Sequence, residues 1–290
     1  MLRSLKDLER YSVSATDGDV GNVIDFLLDD ERWVIRYLVV ETGEFLLDER
    51  RLISPISFGE ADWSTHRFHL ALTMEKVSNS PGVDIDKPVS RQHEQDHSRY
   101  YGYPSYWEAE VWGMGVYPGS LPAADLDTAP VKQSGQPVGD VHLRSAAEVR
   151  GYHIQGTDGV IGHVADFIVD DETWGVSYLV VDTSNWLFGR KVLVAPHWAT
   201  SISWEEKNFF LSVTRQAVSD SPEWHPDAGI NHRYEERLYD YYGRPAPRVI
   251  ADLPAHRTAD SRDKNAANKR DIASDVATAE EIALKTALMS

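Results

Sequence analysis

The chain contains no cysteine. That absence removes disulfides, thiolate zinc sites, iron–sulfur clusters and cysteine nucleophiles together. Positive charge is scarce as well, since 29 Lys and Arg stand against 46 Asp and Glu, for a formal charge of -17. A surplus of that size repels phosphate backbones and anionic lipid surfaces, so general nucleic-acid binding is not expected. Long hydrophobic runs are missing too. No stretch reaches the roughly 18 apolar residues of a membrane span, and the opening segment Met1 to Arg10 is charged every few residues, unlike a secretory signal. We therefore expect no membrane insertion and read the chain as cytoplasmic. What is present is ordinary for a soluble protein: 290 residues, 42% hydrophobic and 26% charged, enough for about two domains.

Comparison of the sequence with itself reveals a long ungapped repeat. Leu2-Arg3-Ser4 recurs as Leu143-Arg144-Ser145, and Tyr11, Thr16-Asp17-Gly18 and Gly21 recur as Tyr152, Thr157-Asp158-Gly159 and Gly162. The register continues through Val23 to Glu31 against Val164 to Glu172, Trp33 against Trp174, and Tyr37-Leu38-Val39-Val40 against Tyr178-Leu179-Val180-Val181. Pro55/Pro196, Trp63/Trp204, Phe68/Phe209, Ser80-Pro81/Ser221-Pro222 and Tyr100-Tyr101-Gly102/Tyr241-Tyr242-Gly243 complete it. About a third of the aligned positions are identical over roughly 100 residues, so the chain holds two copies of one unit, at residues 2–104 and 143–245.

Within each copy, β-branched and aromatic residues run in short blocks divided by Gly, Asp and Pro, the pattern of strands. Strands are expected at Ser12–Thr16, Val20–Leu28, Trp33–Glu41, Phe45–Leu47, Arg51–Ser54 and Arg67–Thr73, with the Tyr37-Leu38-Val39-Val40 run buried on both faces. Asp17-Gly18 and Asp29 to Arg32 are turns. Trp33/Trp174 and Trp63/Trp204, placed inside strands, are expected to pack in cores. Five or six short antiparallel strands without a covering helix favour a small closed barrel. Val89–Tyr101 and Asn231–Tyr242 then read as short helices that stop at glycine. The expected fold is therefore all-β dominated: two tandem small barrels, each followed by a short helix.

Residues 105–142 form a Pro- and Gly-rich linker whose first part carries Trp107 and Trp112, too apolar for a freely solvated segment. Residues 246–290 contain no aromatic residue and balance seven basic against seven acidic groups. Disorder is the expectation there, with a weakly amphipathic helix at 271–288 as the alternative.

The chemistry-bearing patterns are few. His93-Glu94-Gln95-Asp96-His97 is a literal H-E-x-x-H, the spacing that sets two imidazoles on one helical face around zinc with Glu as general base. Its flanks are polar and no third ligand follows at the needed spacing. The second copy carries Tyr234 and Leu238 at the two His positions. His93, Glu94 and His97 are therefore weak metal candidates, and a solvated helix face is the expected reading. Asp25, Asp29, Asp30 and Glu31 with their twins do not have the spacing of a calcium loop and read as a hairpin tip. No residue pattern points to a cofactor, and no Ser, His and Asp set is constrained enough for a hydrolytic triad. Tyr100, Tyr101, Tyr241 and Tyr242, with Trp107 and Trp112, are candidates for a clamp of each helix onto its barrel or for a docking surface.

The Thr-Asp-Gly-x-x-Gly-x-Val-x-Asp-Phe segment, the Asp-Asp-Glu turn before Trp, the Tyr-Leu-Val-Val strand and the late Ser-Pro together resemble the PRC-barrel superfamily. The tandem arrangement with Tyr-Tyr-Gly-x-Pro after each copy resembles its bacterial two-barrel members. That family includes the cytoplasmic domain of the photosynthetic reaction-centre H subunit and the C-terminal domain of the ribosome maturation factor RimM, so the resemblance implies docking and assembly without catalysis. The chain lacks the membrane helix of the first relative and the N-terminal barrel of the second. The expectation is a non-enzymatic acidic interaction or assembly module whose protein partner presents a basic surface, with a homo-oligomer also compatible. An H-subunit-like role in photosynthetic complex assembly, a RimM-like accessory role in ribosome maturation and a zinc hydrolase are the alternatives.

Overall fold

The computed structural model describes residues 1–43, 49–84, 89–103, 142–183 and 190–245. The strand expected at Phe45–Leu47, the aromatic residues Trp107 and Trp112, and the tail with its helix at 271–288 lie outside the described residues. The first copy runs β1 (Leu2–Ser4), α1 (Leu5–Leu8), β2 (Ser12–Ala15), β3 (Gly18–Asp29), β4 (Val34–Thr42), β5 (Arg50–Ile53), a 3-10 turn (Pro55–Ser57), β6 (Phe58–Asp62), β7 (Arg67–Leu70), α2 (Met74–Ser78) and α3 (Arg91–Tyr101). The second repeats that order: β8 (Leu143–Ser145), α4 (Ala146–Val149), β9 (His153–Gly156), β10 (Gly159–Asp170), β11 (Val176–Asp182), β12 (Lys191–Val194), a 3-10 turn (Pro196–Trp198), β13 (Ala199–Ser203), β14 (Asn208–Leu211), α5 (Arg215–Ser219), a further 3-10 turn (Pro226–Ala228) and α6 (His232–Tyr241).

The protein is strand-dominated, with two mixed sheets of matching order, β5-β4-β3-β2-β7-β6 and β12-β11-β10-β9-β14-β13. The antiparallel reading is corrected at one pair in each: β2 runs parallel to β7, and β9 parallel to β14. These partners are distant in sequence, and a period-2 pattern fixes which face a residue takes but not the direction of a remote neighbour. The long hairpins β3–β4 and β10–β11 carry the core. Phe26, Leu28, Ile35, Leu38 and Val40 are buried, and Tyr37 and Val39 on the opposite face are buried as well, as the continuous apolar run requires. Gly21 and Gly162 sit where the paired strand comes closest: a Cβ there would lie 2.0 Å from the Glu41 carbonyl oxygen and 2.1 Å from that of Asp182.

Trp33 and Trp174 are not in strands. They close the β3–β4 and β10–β11 turns in the left-handed region, at φ 54° and 60°. Each turn is set by an aspartate whose carboxylate accepts backbone N–H groups two and three residues on: Asp29 from Glu31 and Arg32, Asp170 from Glu172 and Thr173, a local bond that competes successfully with the ladder. Trp63 and Trp204 also stand in turns, directly after β6 and β13.

The two copies are interleaved. Arm β1 of the first pairs antiparallel with β10 of the second, Leu2 opposite Asp170 and Ser4 opposite Ile168. Arm β8 of the second pairs with β3 of the first, Leu143 opposite Asp29 and Ser145 opposite Leu27. Position by position these registers are the same, so the exchange is reciprocal and the seam isologous. The turn tips add two backbone bonds, Ile35 N–H to the Trp174 carbonyl at 2.8 Å and Val176 N–H to the Trp33 carbonyl at 2.7 Å. Each Trp ring then crosses over: Trp174 lies 5.2 Å from Phe58 and 5.9 Å from Phe68 of the first copy, and Trp33 lies 6.0 Å from Phe209 of the second. One continuous apolar cluster, from Leu5 to Tyr239, consequently spans both copies, and residues 1–244 form one compact unit.

Candidate functional site

Helix α3 begins at Ser90, whose hydroxyl accepts the His93 N–H, and stops at Gly102 in the left-handed region at φ 74°. These caps set the limits of the helix; its H-E-x-x-H segment turns Glu94 and His97 inward, and the expectation of a solvated face is overturned. Glu94 is 0% and His97 1% exposed, while His93 is partly buried. His97 Nε2 donates to the Leu52 carbonyl at 2.9 Å, and its ring meets Tyr37 edge-on at 5.1 Å. Burial holds the imidazole pKa down at about 4, so it is neutral at pH 7. Burial, together with the negative charge and hydrogen bond of Glu94, pushes the Tyr37 hydroxyl far above its usual range. The polar flanks concealed this: Gln92 and Arg99 are exposed, while Arg91 lies 3.7 Å from the buried Glu94 carboxylate.

The second copy performs the same packing with different groups. Tyr178 donates to Glu235 Oε1 at 2.7 Å, Leu238 is fully buried at the His97 position, and Tyr234, at the His93 position, donates to the Pro222 carbonyl at 2.9 Å. A strand tyrosine bonded to a helix glutamate is thus common to both copies. The signal lay in the sequence, as Tyr37 and Glu94 recur at the repeat spacing as Tyr178 and Glu235. Among the described residues no group of three or more His, Asp and Glu side chains has the arrangement of a metal site.

The tyrosine pairs lie where each trailing helix meets the short helix before it. Tyr100 donates to the Lys76 carbonyl at 2.8 Å and Tyr241 to the Ala217 carbonyl at 2.7 Å, so each tyrosine caps the short helix α2 or α5. Their neighbours Tyr101 and Tyr242 turn inward, with hydroxyls pushed by burial up to about 12. Beside Tyr242, the residues Val194, Trp198, Leu211, Val213 and Arg244 line a shallow depression with room for about one water. In the first copy Tyr103 stands at the Arg244 position, stacks on Tyr101 at 5.4 Å and shares a hydrogen bond with the Ser57 hydroxyl at 2.8 Å.

The densest polar constellation lies at the seam, where the sequence pattern alone suggested hairpin tips. Asp25 accepts from the Ser145 hydroxyl at 2.5 Å and the Ala147 N–H at 3.0 Å, and Asp166 accepts from the Ser4 hydroxyl at 2.6 Å and the Lys6 N–H at 3.0 Å. Strand bulges at Val23/Asp25 and Val164/Asp166 turn the two carboxylates toward the arms. Burial raises both carboxyl pKa values even though those hydrogen bonds oppose it. Asp30 holds Arg144 Nε at 2.8 Å and His142 at 3.1 Å, while Asp171 holds Arg3 Nε at 2.6 Å. The two guanidinium groups lie over Trp204 and Trp63 at 4.6 and 3.6 Å. These acidic residues are therefore partners of an exchanged arm.

Against known families, residues 142–215 match the model of the PRC-barrel domain. The chain carries a PRC-barrel domain. No curated protein matches the sequence. The matched PRC-barrel span opens at His142, immediately before β8, so it includes the arm that pairs with the other copy and ends where α5 begins. The residues of this PRC-barrel domain with recognisable chemistry, Asp166, Asp170 and Asp171, accept hydrogen bonds from the arm, from their own turn and from Arg3.

Proposed function

We propose that the chain is a non-enzymatic, acidic interaction and assembly module whose protein partner presents a basic surface. The observation that carries this reading is the commitment of His97, Asp25 and Asp166 to structure: His97 is bonded to the Leu52 carbonyl, and Asp25 and Asp166 to the exchanged arms. What is left for a partner is charge. Residues 1–245 hold 39 acidic and 22 basic residues, whereas the last 45 are balanced. The described surface exposes few large apolar side chains, Met1, Val160 and Tyr241, so electrostatic attraction and shape carry more of the recognition than apolar burial. No helix among the described residues is long and apolar enough to cross a membrane.

Capture of the partner from native lysate, followed by association kinetics over a salt series, tests this reading. Exposed charges are screened over about 8 Å at physiological salt, so association slows as salt rises while dissociation changes less. Truncation after residue 245 leaves that dependence in place. A salt-independent association rate, or tight binding to duplex DNA or RNA, overturns the reading.

A further inference from the structure

The seam is nearly symmetric, and one of its charge asymmetries places opposite charges on equivalent positions that meet. Glu9 and Arg150 are the same position of the two copies, each directly after its four-residue helix. They meet across the seam, Arg150 Nη1 to Glu9 Oε1 at 2.5 Å, with both side chains only 19% exposed. Asp25 and Asp166 both feel the positive charge of Arg150, and both act on Glu9. One guanidinium therefore serves three carboxylates, two of them held by the arms.

We infer that Glu9 and Arg150 determine which copies pair, making the seam a docking surface that accepts the opposite copy and rejects its own kind. A reciprocal pairing of two first copies by the same symmetry places Glu9 against Glu9 beside two Asp25 carboxylates, four negative groups without the guanidinium of Arg150. A pairing of two second copies places Arg150 against Arg150 beside two Asp166 carboxylates, which balance in charge but set two guanidinium groups face to face. Mispairing of first copies is thus the more strongly opposed. The arms cannot make this distinction, since Leu2-Arg3-Ser4 and Leu143-Arg144-Ser145 are identical and bond equivalent aspartates. Selection against the wrong partner by like charge at a two-fold seam is a recognised route to specificity, and it keeps two chains from exchanging copies wrongly.

The test uses the full chain with a specific protease site placed within residues 105–141, folded first and then cleaved. Cleaved unlabelled and isotope-labelled protein are mixed, carried through partial unfolding and refolding, and read by native mass spectrometry. The expected species is one first copy with one second copy, second-copy pairs being minor and first-copy pairs absent. Arg150→Glu speeds separation of the cleaved halves about tenfold or more, and Glu9→Arg combined with Arg150→Glu returns it toward the parent rate. A statistical mixture of the three pairings overturns the inference, as does a double variant that separates as fast as Arg150→Glu. Should Arg150→Glu fail to fold, folding of the double variant supports the inference and its failure counts against it.

Discussion

The two copies share a skeleton and differ in what they bury. In the first, Asp29 is 2% exposed and bonded to the buried Arg36 at 2.8 Å. In the second, Ser177 stands at the arginine position and Asp170 bonds the Thr173 hydroxyl at 3.0 Å near solvent. Beneath the trailing helix the first copy buries His97 where the second buries Leu238. At the helix end the aromatic mass changes sides: Tyr103 against Ser57 in one, Arg244 against Trp198 in the other. Backbone geometry is set by the positions kept in both copies, namely the bulge glycines, the turn aspartates and the strand core. Volume and polarity at the remaining positions are filled locally, so long as each site is satisfied.

The largest effect should come from breaking the ion pair found in one copy alone. Asp29→Ala leaves the Arg36 guanidinium buried without its carboxylate and is expected to cost about 3–5 kcal/mol, against about 1 kcal/mol for Asp170→Ala. Chemical denaturation of the two variants measures the gap, and equal losses would remove this contrast between the copies.

Next are the crossed tryptophans. Trp174 is 4% exposed within the first copy's aromatic cluster, and Trp174→Ala should cost about 3–4 kcal/mol. Trp33, which is only partly buried and lacks a counterpart of Phe58 because Ala199 stands there, should cost about half as much. The reverse order in unfolding midpoints would contradict this assignment of the rings.

The His97 and Leu238 difference is readable through pH. His97 has a folded pKa of about 4 against 6.5 for the free side chain, so the unfolded chain binds more protons between those values. Its contribution is complete above pH 6.5 and is lost as pH falls toward 4, about 3 kcal/mol in all. His97→Leu should therefore be slightly less stable than the parent at pH 7.5, where the Leu52 carbonyl loses its donor, and more stable near pH 4.5. The seam carboxylates have the opposite sign. Asp25 and Asp166 are raised by burial, so their contribution is present at low pH and declines as pH rises through the raised values. The stability difference between parent and an Asp25→Asn, Asp166→Asn variant should change with pH in the sense opposite to that for His97→Leu. Difference curves of the same sign would refute one of the two assignments.

The smallest effects belong to the tyrosine caps. Tyr100→Phe and Tyr241→Phe each remove one hydrogen bond to a helix carbonyl and should cost about 1 kcal/mol or less, nearly equally in the two copies. Thermal melts compare them, and a large cost for only one of the two would show that the caps are not equivalent.

The short elements β1, α1, β6 and α2 and their twins β8, α4, β13 and α5 were not legible in the sequence pattern. The sequence by itself determined the repeat, the long hairpin strands, the trailing helices, the doubly buried Tyr-Leu-Val-Val strand and the glycine stop of α3. Each rests on local spacing, on the side-chain period of a strand or on a backbone position only glycine fills. It also contained the aspartates and the arms, at the correct spacing, without indicating that they meet. Only the tertiary structure decided that Asp25 receives Ser145 rather than Ser4, because two identical arms are equally suitable to a local reading. The inward turn of His97 and Glu94 was likewise decided there. A helix with polar residues on every side does not declare its buried face, and the strand tyrosine opposite it, some 60 residues away, joins Arg91 of the same helix as a partner that makes burial of the Glu94 carboxylate tolerable.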